Sequence, residues 1–355
     1  MSRRWLRGIA FLVMKATVLQ GVGDIRLVEV PDPVLREPTD VLVRVRLAAV
    51  CGSDLWPYRG LESFAPGDRM GHEWIGTVEE IGPEVVRLRK GDLVVAPFAF
   101  ADGGCPACRD GLPTSCRRGG FWGGADDGGQ AEAVRVPFAD ATLVPVRADV
   151  DDDLARRLLP LTDVMATGHH ATVLAGVVRG GTVVVIGDGA VGLCAVLAAR
   201  RAGAERIISV GRHAERAPLA RRFGATDTLH ADDPQTAPLI VERTGGGAVS
   251  VAECVGGQSA LDLALAVARP GGTIGSVGVP NGVTRVDLYR FFRANVALRA
   301  GVAPVRVYLD ALIDDVLAGR LDPSPVFTAE AALAGIADAY RAMDRRQAIK
   351  VAARP

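Results

Sequence analysis

The sequence carries no surplus of charge of either sign: Lys plus Arg and Asp plus Glu number 41 each, so no global field draws the chain to nucleic acid or to an anionic membrane. It has no apolar run approaching the roughly 20 residues that a membrane span requires. Internal repeats and low-complexity tracts are also missing, which leaves an ordinary globular protein with small-molecule partners as the expectation. Cysteine is sparse. Six thiols in 355 residues do not make a disulfide framework. Cys105, Cys108 and Cys116 are grouped with zinc-type spacing, whereas Cys194 and Cys254 stand in apolar runs and read as buried core thiols. This usage fits a reducing cytoplasm.

The start of the chain imitates a secretory signal only faintly. Arg3, Arg4 and Arg7 precede Gly8-Ile9-Ala10-Phe11-Leu12-Val13, but the apolar part is short and no small-residue cleavage site follows. Residues 1–13 are read as an extension, of the kind an upstream start codon would produce.

What is present divides by texture. The length predicts two domains, and an apolar content of 49% can fill two interiors. From Lys15 to about Val146, Gly and Pro break the chain into short β-type runs, with alternation over Val41–Leu47, Gly76–Ile81 and Leu93–Ala96. Little helical periodicity interrupts them, so the expectation is an irregular β lobe. A helical stretch is predicted over Asp151–Val178. At Gly181 the pattern changes: Thr182–Ile186 is a continuous apolar run of buried parallel-strand type, followed by Gly187-Asp188-Gly189-Ala190-Val191-Gly192 and an Ala-rich helix to Ala202. A G-x-G-x-x-G turn between a strand and a helix is a dinucleotide site, because Gly187, Gly189 and Gly192 permit the tight turn and the close approach of a pyrophosphate to the helix N-terminus. Further strands are predicted at Arg206–Val210, near Thr228, and at Val249–Cys254, Thr273–Val277 and Val296–Gly301. Six strands with intervening helices make an α/β, doubly wound Rossmann domain.

The chemistry-bearing residues lie mostly upstream. Cys51-Gly52-Ser53-Asp54, Gly71-His72-Glu73-Trp74-Ile75-Gly76 and the distant Asp163 offer three kinds of metal ligand, and a catalytic zinc needs three protein ligands with a fourth position open. Gly71-His72-Glu73 followed by Gly76, Gly82 and Val85 resembles the signature of the zinc-dependent medium-chain alcohol dehydrogenases, and the likeness extends from Met14 to Arg346-Gln347-Ala348-Ile349-Lys350-Val351.

That resemblance implies a chaperonin-10-like catalytic domain over residues 1–165, a Rossmann domain over 166–304, and a return to the catalytic domain over 305–355, with the active site in the cleft. It implies a catalytic zinc on Cys51, His72 and Asp163, with Glu73 beside the metal. It implies a structural zinc on Asp102, Cys105, Cys108 and Cys116, where the acid departs from the family's four cysteines. Ser53 falls on the hydroxyl that takes the substrate proton. Trp56 stands where many relatives carry a relay histidine, so it is a candidate substrate wall along with Phe121 and Trp122. Thr167 and Val191 fall on positions that press on the nicotinamide. His169 and His170 match no ligand position, and packing or hydrogen bonding is expected of them.

Cofactor choice is read from the end of the second Rossmann strand. NAD-dependent enzymes place an acid there, about 20 residues past the glycine motif, to bind the adenosine ribose. This chain has Gly211-Arg212-His213, with Arg216 one turn on, so NADP is expected: Gly211 leaves room for the phosphate, and Arg212, His213 and Arg216 donate to it. NAD bound through Glu215 is the alternative. The predicted activity is hydride transfer between a nicotinamide and an alcohol/carbonyl pair, a secondary alcohol or an aldehyde or ketone, by a homodimer or homotetramer. A polyol or amino-alcohol dehydrogenase is the nearest alternative. A redox-inactive dinucleotide-binding protein is the alternative of another class, since fold alone does not prove catalysis.

Overall fold

The computed structural model describes residues 13–124 and 127–355. Of the expected N-terminal extension only Val13 falls within them, and it opens the strand Val13–Gly21.

The first half builds a mixed sheet around the strand Val41–Val50, whose inward residues Val41, Val43, Val45 and Leu47 are buried by simple alternation. Glu73–Ile81 pairs antiparallel with it, setting Glu73 opposite Ala49, and Leu93–Ala96 pairs with Glu73–Ile81 in turn. The other side of Val41–Val50 is closed by the C-terminal strand Lys350–Arg354, with Val351 opposite Val50, and Phe327–Ala332 follows outside it. The end of the chain therefore completes the sheet begun near its start.

The second sheet has six parallel strands in the spatial order Asp227–His230, Arg206–Gly211, Thr182–Ile186, Ala248–Glu253, Ala268–Ser276 and Ala297–Ala300. The order of connection reverses beside Thr182–Ile186, the switch point at which the glycine turn emerges. Thr182–Ile186 is buried from Val183 onward because helices cover both faces.

One expectation is corrected. The stretch over 151–178 is not one helix but two, Asp152–Leu158 and Val164–Leu174, separated by a 3₁₀ turn over Leu159–Thr162. Pro160 lacks the N–H that a continuous helix would use, and Asp163 leaves helical geometry with φ −150° and ψ −80°. The break frees Asp163 to point away from the helix axis.

Candidate active site

The first cluster is assembled by the ends of three paired strands and that helix break. Cys51 follows directly on Val50, His72 immediately precedes Glu73, and Lys350 opens the last strand, so strand pairing alone brings all four side chains to one edge. Gly71 makes the approach possible. Its φ is +101°, and a Cβ there would lie 2.4 Å from the backbone nitrogen of Gln130. Asp163 enters from the helix break.

Donor atoms of Cys51, His72, Glu73 and Asp163 all lie within 4.8 Å of one another. Asp163 Oδ2 is 3.4 Å from Cys51 Sγ and 3.4 Å from His72 Nε2. Tetrahedral zinc arms of about 2.0–2.3 Å place ligand atoms roughly 3.3–3.8 Å apart, so the spacing fits the metal. Glu73 Oε1 lies 4.0 Å from His72 Nε2 and is paired with Lys350 Nζ, while the buried Oε2 has no partner among the described residues. An orphaned carboxylate oxygen beside three further donor atoms fits a cation at this point.

The surroundings aim each donor group. Asp54 Oδ1 lies 3.2 Å from His72 Nδ1, which fixes Nε2 as the lone-pair nitrogen turned toward the cluster. Asp54 Oδ2 accepts from the Cys51 amide at 2.9 Å and from Gln130 Nε2 at 3.3 Å, and the Tyr340 hydroxyl donates to Gln130 Oε1 at 3.0 Å. Thr167 Oγ1 donates to Asp163 Oδ1 at 2.7 Å, leaving Oδ2 for the cluster. Burial opposes ionisation of Asp163, but its hydrogen bond to His72 and the charges of His72 and Lys350 prevail and bring its pKa to about 2. Burial also works against a charged His72, yet Asp54, Cys51 and Asp163 raise its pKa well above the usual value. Burial holds the Cys51 thiol at about 11, a value that a bound cation reverses.

Facing this cluster, Ser53 Oγ is 3.4 Å from His72 Nε2, and Ser53 is itself exposed. Among the candidate substrate walls, Trp56 is half-buried and Phe121 is exposed, stacked at 5.8 Å on Phe98, whose ring meets His72 edge-on. Trp122 belongs instead to the core: it is buried, and its indole N–H donates to Pro97 O at 2.7 Å. Phe98, Asp54, Gln130, Tyr340 and Lys350 are missed by sequence reasoning, because each becomes relevant only through contacts across distant segments.

Asp102, Cys105, Cys108 and Cys116 form a second cluster whose donor atoms also all lie within 4.8 Å of one another. Cys108 Sγ lies 3.5 Å from Cys105 Sγ and 3.5 Å from Asp102 Oδ1. The amides of Gly104 and Cys105 donate to Asp102 Oδ1 and bring its pKa to about 2, so the oxygen donor of the cluster is charged. His169 and His170 join neither cluster. His170 Nδ1 is 2.8 Å from the Tyr308 hydroxyl, and His169 sits edge-on to the same ring.

The dinucleotide turn fits its expected occupant. Gly189 caps the 12-residue helix Ala190–Arg201, and the space where its Cβ would stand is open. Gly192 is packed against the turn, since a Cβ there would meet Gly187 O at 2.0 Å. At the adenosine end the expectation needs correction. The space over Gly211 is not free: a Cβ there would fall 2.4 Å from Asp188 Oδ2. His213 gives its amide (2.7 Å) and its Nδ1 (3.0 Å) to Asp188, while its Nε2 faces Arg346 Nη1 at 3.1 Å. His213 thus has no donor to spare. Arg216 is buried beside Asp188, and Arg212 Nε donates to Asp232 at 3.0 Å but stays exposed. Glu215 is exposed, and Val191 lies half-buried at the start of the helix.

Comparison with known proteins agrees with this layout. The profile of the alcohol dehydrogenase GroES-like domain matches residues 37–147, and that of the zinc-binding dehydrogenases matches residues 190–306. The zinc-type alcohol dehydrogenase-like protein AdhB of Bacillus subtilis is 33% identical over 96% of this chain and 100% of its own. The solved alcohol dehydrogenase TADH of Thermus sp. ATN1 superposes with a TM-score of 0.91 at 34% identity, covering 96% of this chain and 99% of its own. A zinc-binding dehydrogenase homologue of Sinorhizobium meliloti, solved bound to NADP, gives a TM-score of 0.83 at 26% identity, covering 97% of this chain and 100% of its own.

Proposed function

Since the chain belongs to the zinc-dependent medium-chain alcohol dehydrogenases and is an oxidoreductase of that type, we propose that it moves a hydride between a nicotinamide cofactor and a secondary alcohol or its ketone, or an aldehyde, at Cys51, His72 and Asp163. The juxtaposition of those three donors beside the orphaned Glu73 oxygen carries the reading. Zinc, when bound there, polarises the substrate oxygen and so lowers the alcohol's pKa. Asp54 and Thr167 aim two of the ligands. Ser53 takes the substrate's hydroxyl proton. Trp56 cannot relay it, so the onward path is proposed to run through water or a ribose hydroxyl of the cofactor. Trp56, Phe98 and Phe121 offer an apolar wall, which favours an apolar alcohol over a polyol.

Asp102, Cys105, Cys108 and Cys116 are proposed to hold a second, structural zinc. NADP is proposed over NAD. The reading is supported by Arg212 and Arg346 at the adenosine end and by the NADP-bound relative. A homodimer or homotetramer is proposed from the strand Ala297–Ala300, which pairs on one side only, and from the exposed Leu288, Tyr289 and Phe292 next to it in sequence. The three grouped thiols suit a cytoplasmic location, and among the described residues no helix is long and apolar enough to cross a membrane.

The test pairs metal analysis with a reduced-nicotinamide absorbance screen over alcohols, polyols, aldehydes and ketones. His72→Ala is expected to abolish turnover while the cofactor still binds, because the pyrophosphate is held by backbone around Gly187–Gly192. Near wild-type turnover in zinc-free His72→Ala protein would sink the assignment.

A further inference from the structure

The acid that the second Rossmann strand lacks in sequence is present in space. Asp188, the second residue of the glycine turn, lies with its carboxylate over Gly211, the last residue of the strand Arg206–Gly211. It crowds that position so closely that only glycine fits: a Cβ on Gly211 would be 2.5 Å from both Cβ and Cγ of Asp188. Where the carboxylate originates does not matter to a ribose. What matters is that a negative charge stands at the carboxyl end of this strand, where the adenosine diol of a dinucleotide seated on the turn falls.

We propose that Asp188 is a cofactor-specificity residue that accepts from the adenosine 2′-hydroxyl and opposes a 2′-phosphate, so that discrimination between NADP and NAD is set by its charge against those of Arg212 and Arg346. The contacts around it match this role. The amide and Nδ1 of His213 and the Nη1 of Arg216 hold the carboxylate in place, and the side chains of Asp188, His213 and Arg216 are 13%, 19% and 10% exposed, respectively. With Nδ1–H directed at Asp188, His213 presents the lone pair of Nε2 to Arg346, which reaches across from the turn after the helix Ile336–Asp344. Asp188, His213 and Arg346 thus form one chain from the glycine turn to the C-terminal segment. Its acidic end faces the ribose and its basic end comes from the other lobe.

The inference rests on the reading that a nicotinamide dinucleotide binds at this turn, and the test separates the two. Dissociation constants for NADPH and NADH are measured by fluorescence titration on wild type and Asp188→Asn, with thermal shifts by 2′,5′-ADP and 5′-AMP as a readout free of the nicotinamide. Removing one charge beside a phosphate is expected to raise the ratio Kd(NADH)/Kd(NADPH) by roughly tenfold or more, and to enlarge the shift given by 2′,5′-ADP relative to that by 5′-AMP. Asp188→Ser, which removes the charge and relieves the crowding over Gly211, is measured in parallel so that an unstable Asn variant does not leave the question open. A ratio that stays level or falls in the folded variants overturns the proposal, since an Asp188 that merely positioned basic groups for the phosphate would give the fall. Failure of the wild-type protein to bind either dinucleotide would instead overturn the cofactor reading itself.

Discussion

An imidazole proposed as a metal ligand is only as well aimed as the group behind it, and behind His72 that group is Asp54. Its carboxylate is buried, holds His72 Nδ1 at 3.2 Å, and is itself fixed by the Cys51 amide and Gln130. Asp54→Asn keeps the size and a carbonyl oxygen able to accept from Nδ1, but it loses the charge that makes Nε2 a stronger ligand. Zinc affinity is expected to fall by about 10- to 100-fold with the fold intact, as for other partners that orient a ligand. Competition against a chromogenic chelator measures it, and an unchanged zinc dissociation constant would exclude the orienting role. That His72 and Cys51 would meet in one cluster was legible in the sequence, because the neighbouring glycines and the motif spacing travel with them. Asp54 stood in plain view three residues after Cys51, yet its job depends on which ring nitrogen it meets. Lys350 was less legible still: its pairing with Glu73 spans 277 residues and arises only because the last strand closes the first sheet.

Among the elements, those dictated by local pattern were readable and those dictated by tertiary need were not. The strand Thr182–Ile186 and the glycine turn after it follow from an apolar run and a fixed motif. The break at Asp163 was legible only in part: Pro160 marks an interruption, but the helix resumes at once, and the turn of Asp163 toward the cluster depends on contacts with distant segments. The segment between the paired strands Ala99–Phe100 and Gly120–Phe121 is a further case. Its helical turns Pro106–Arg109 and Pro113–Ser115 bury no residue, so apolar packing cannot hold them. Partial burial pushes the Cys108 thiol up to about 12, with the neighbouring Cys105 and Cys116 adding to the effect, and a bound cation would make that thiolate favourable. Gently purified protein is therefore expected to contain about two zinc ions per chain, one closed site and one open. Cys108→Ser should remove one ion and lower the melting temperature by at least about 2–4 °C, with kcat/KM changed far less. One zinc per chain in the wild type, with the Cys108→Ser melting curve superimposable on it, would mean that the loop holds itself without metal.

At the scale of the whole molecule the two sheets share one interior. Leu47, Ile75 and Val95 of the first sheet lie in the same apolar cluster as Val183, Val185 and Leu193 of the dinucleotide unit and Leu309 and Leu312 of the helix Val305–Leu317. The sequence announced two textures but not this seam, because no periodicity records which faces of distant segments meet. His169 and His170 lie in it, on the helix Val164–Leu174 against Tyr308 of Val305–Leu317. Burial, reinforced by the charges of Arg201 and His170, lowers the pKa of His169 from 6.5 to about 4. The unfolded chain therefore binds a proton between those values that the folded chain refuses, so stability contributed by neutral His169 is complete above about pH 6.5 and is lost as the pH falls toward about 4. The loss is at most about 3 kcal/mol, and His170, lowered by burial in the same direction, adds to the slope. His169 Nδ1 is buried without a partner, so His169→Phe removes an unsatisfied atom while keeping a ring against Tyr308. Denaturant unfolding at a series of pH values should show the variant matching or exceeding wild type near pH 5, with a shallower decline between about pH 6.5 and 4. Parallel profiles for the two proteins over that interval would show that the seam does not exclude the imidazolium and that the acid lability arises elsewhere.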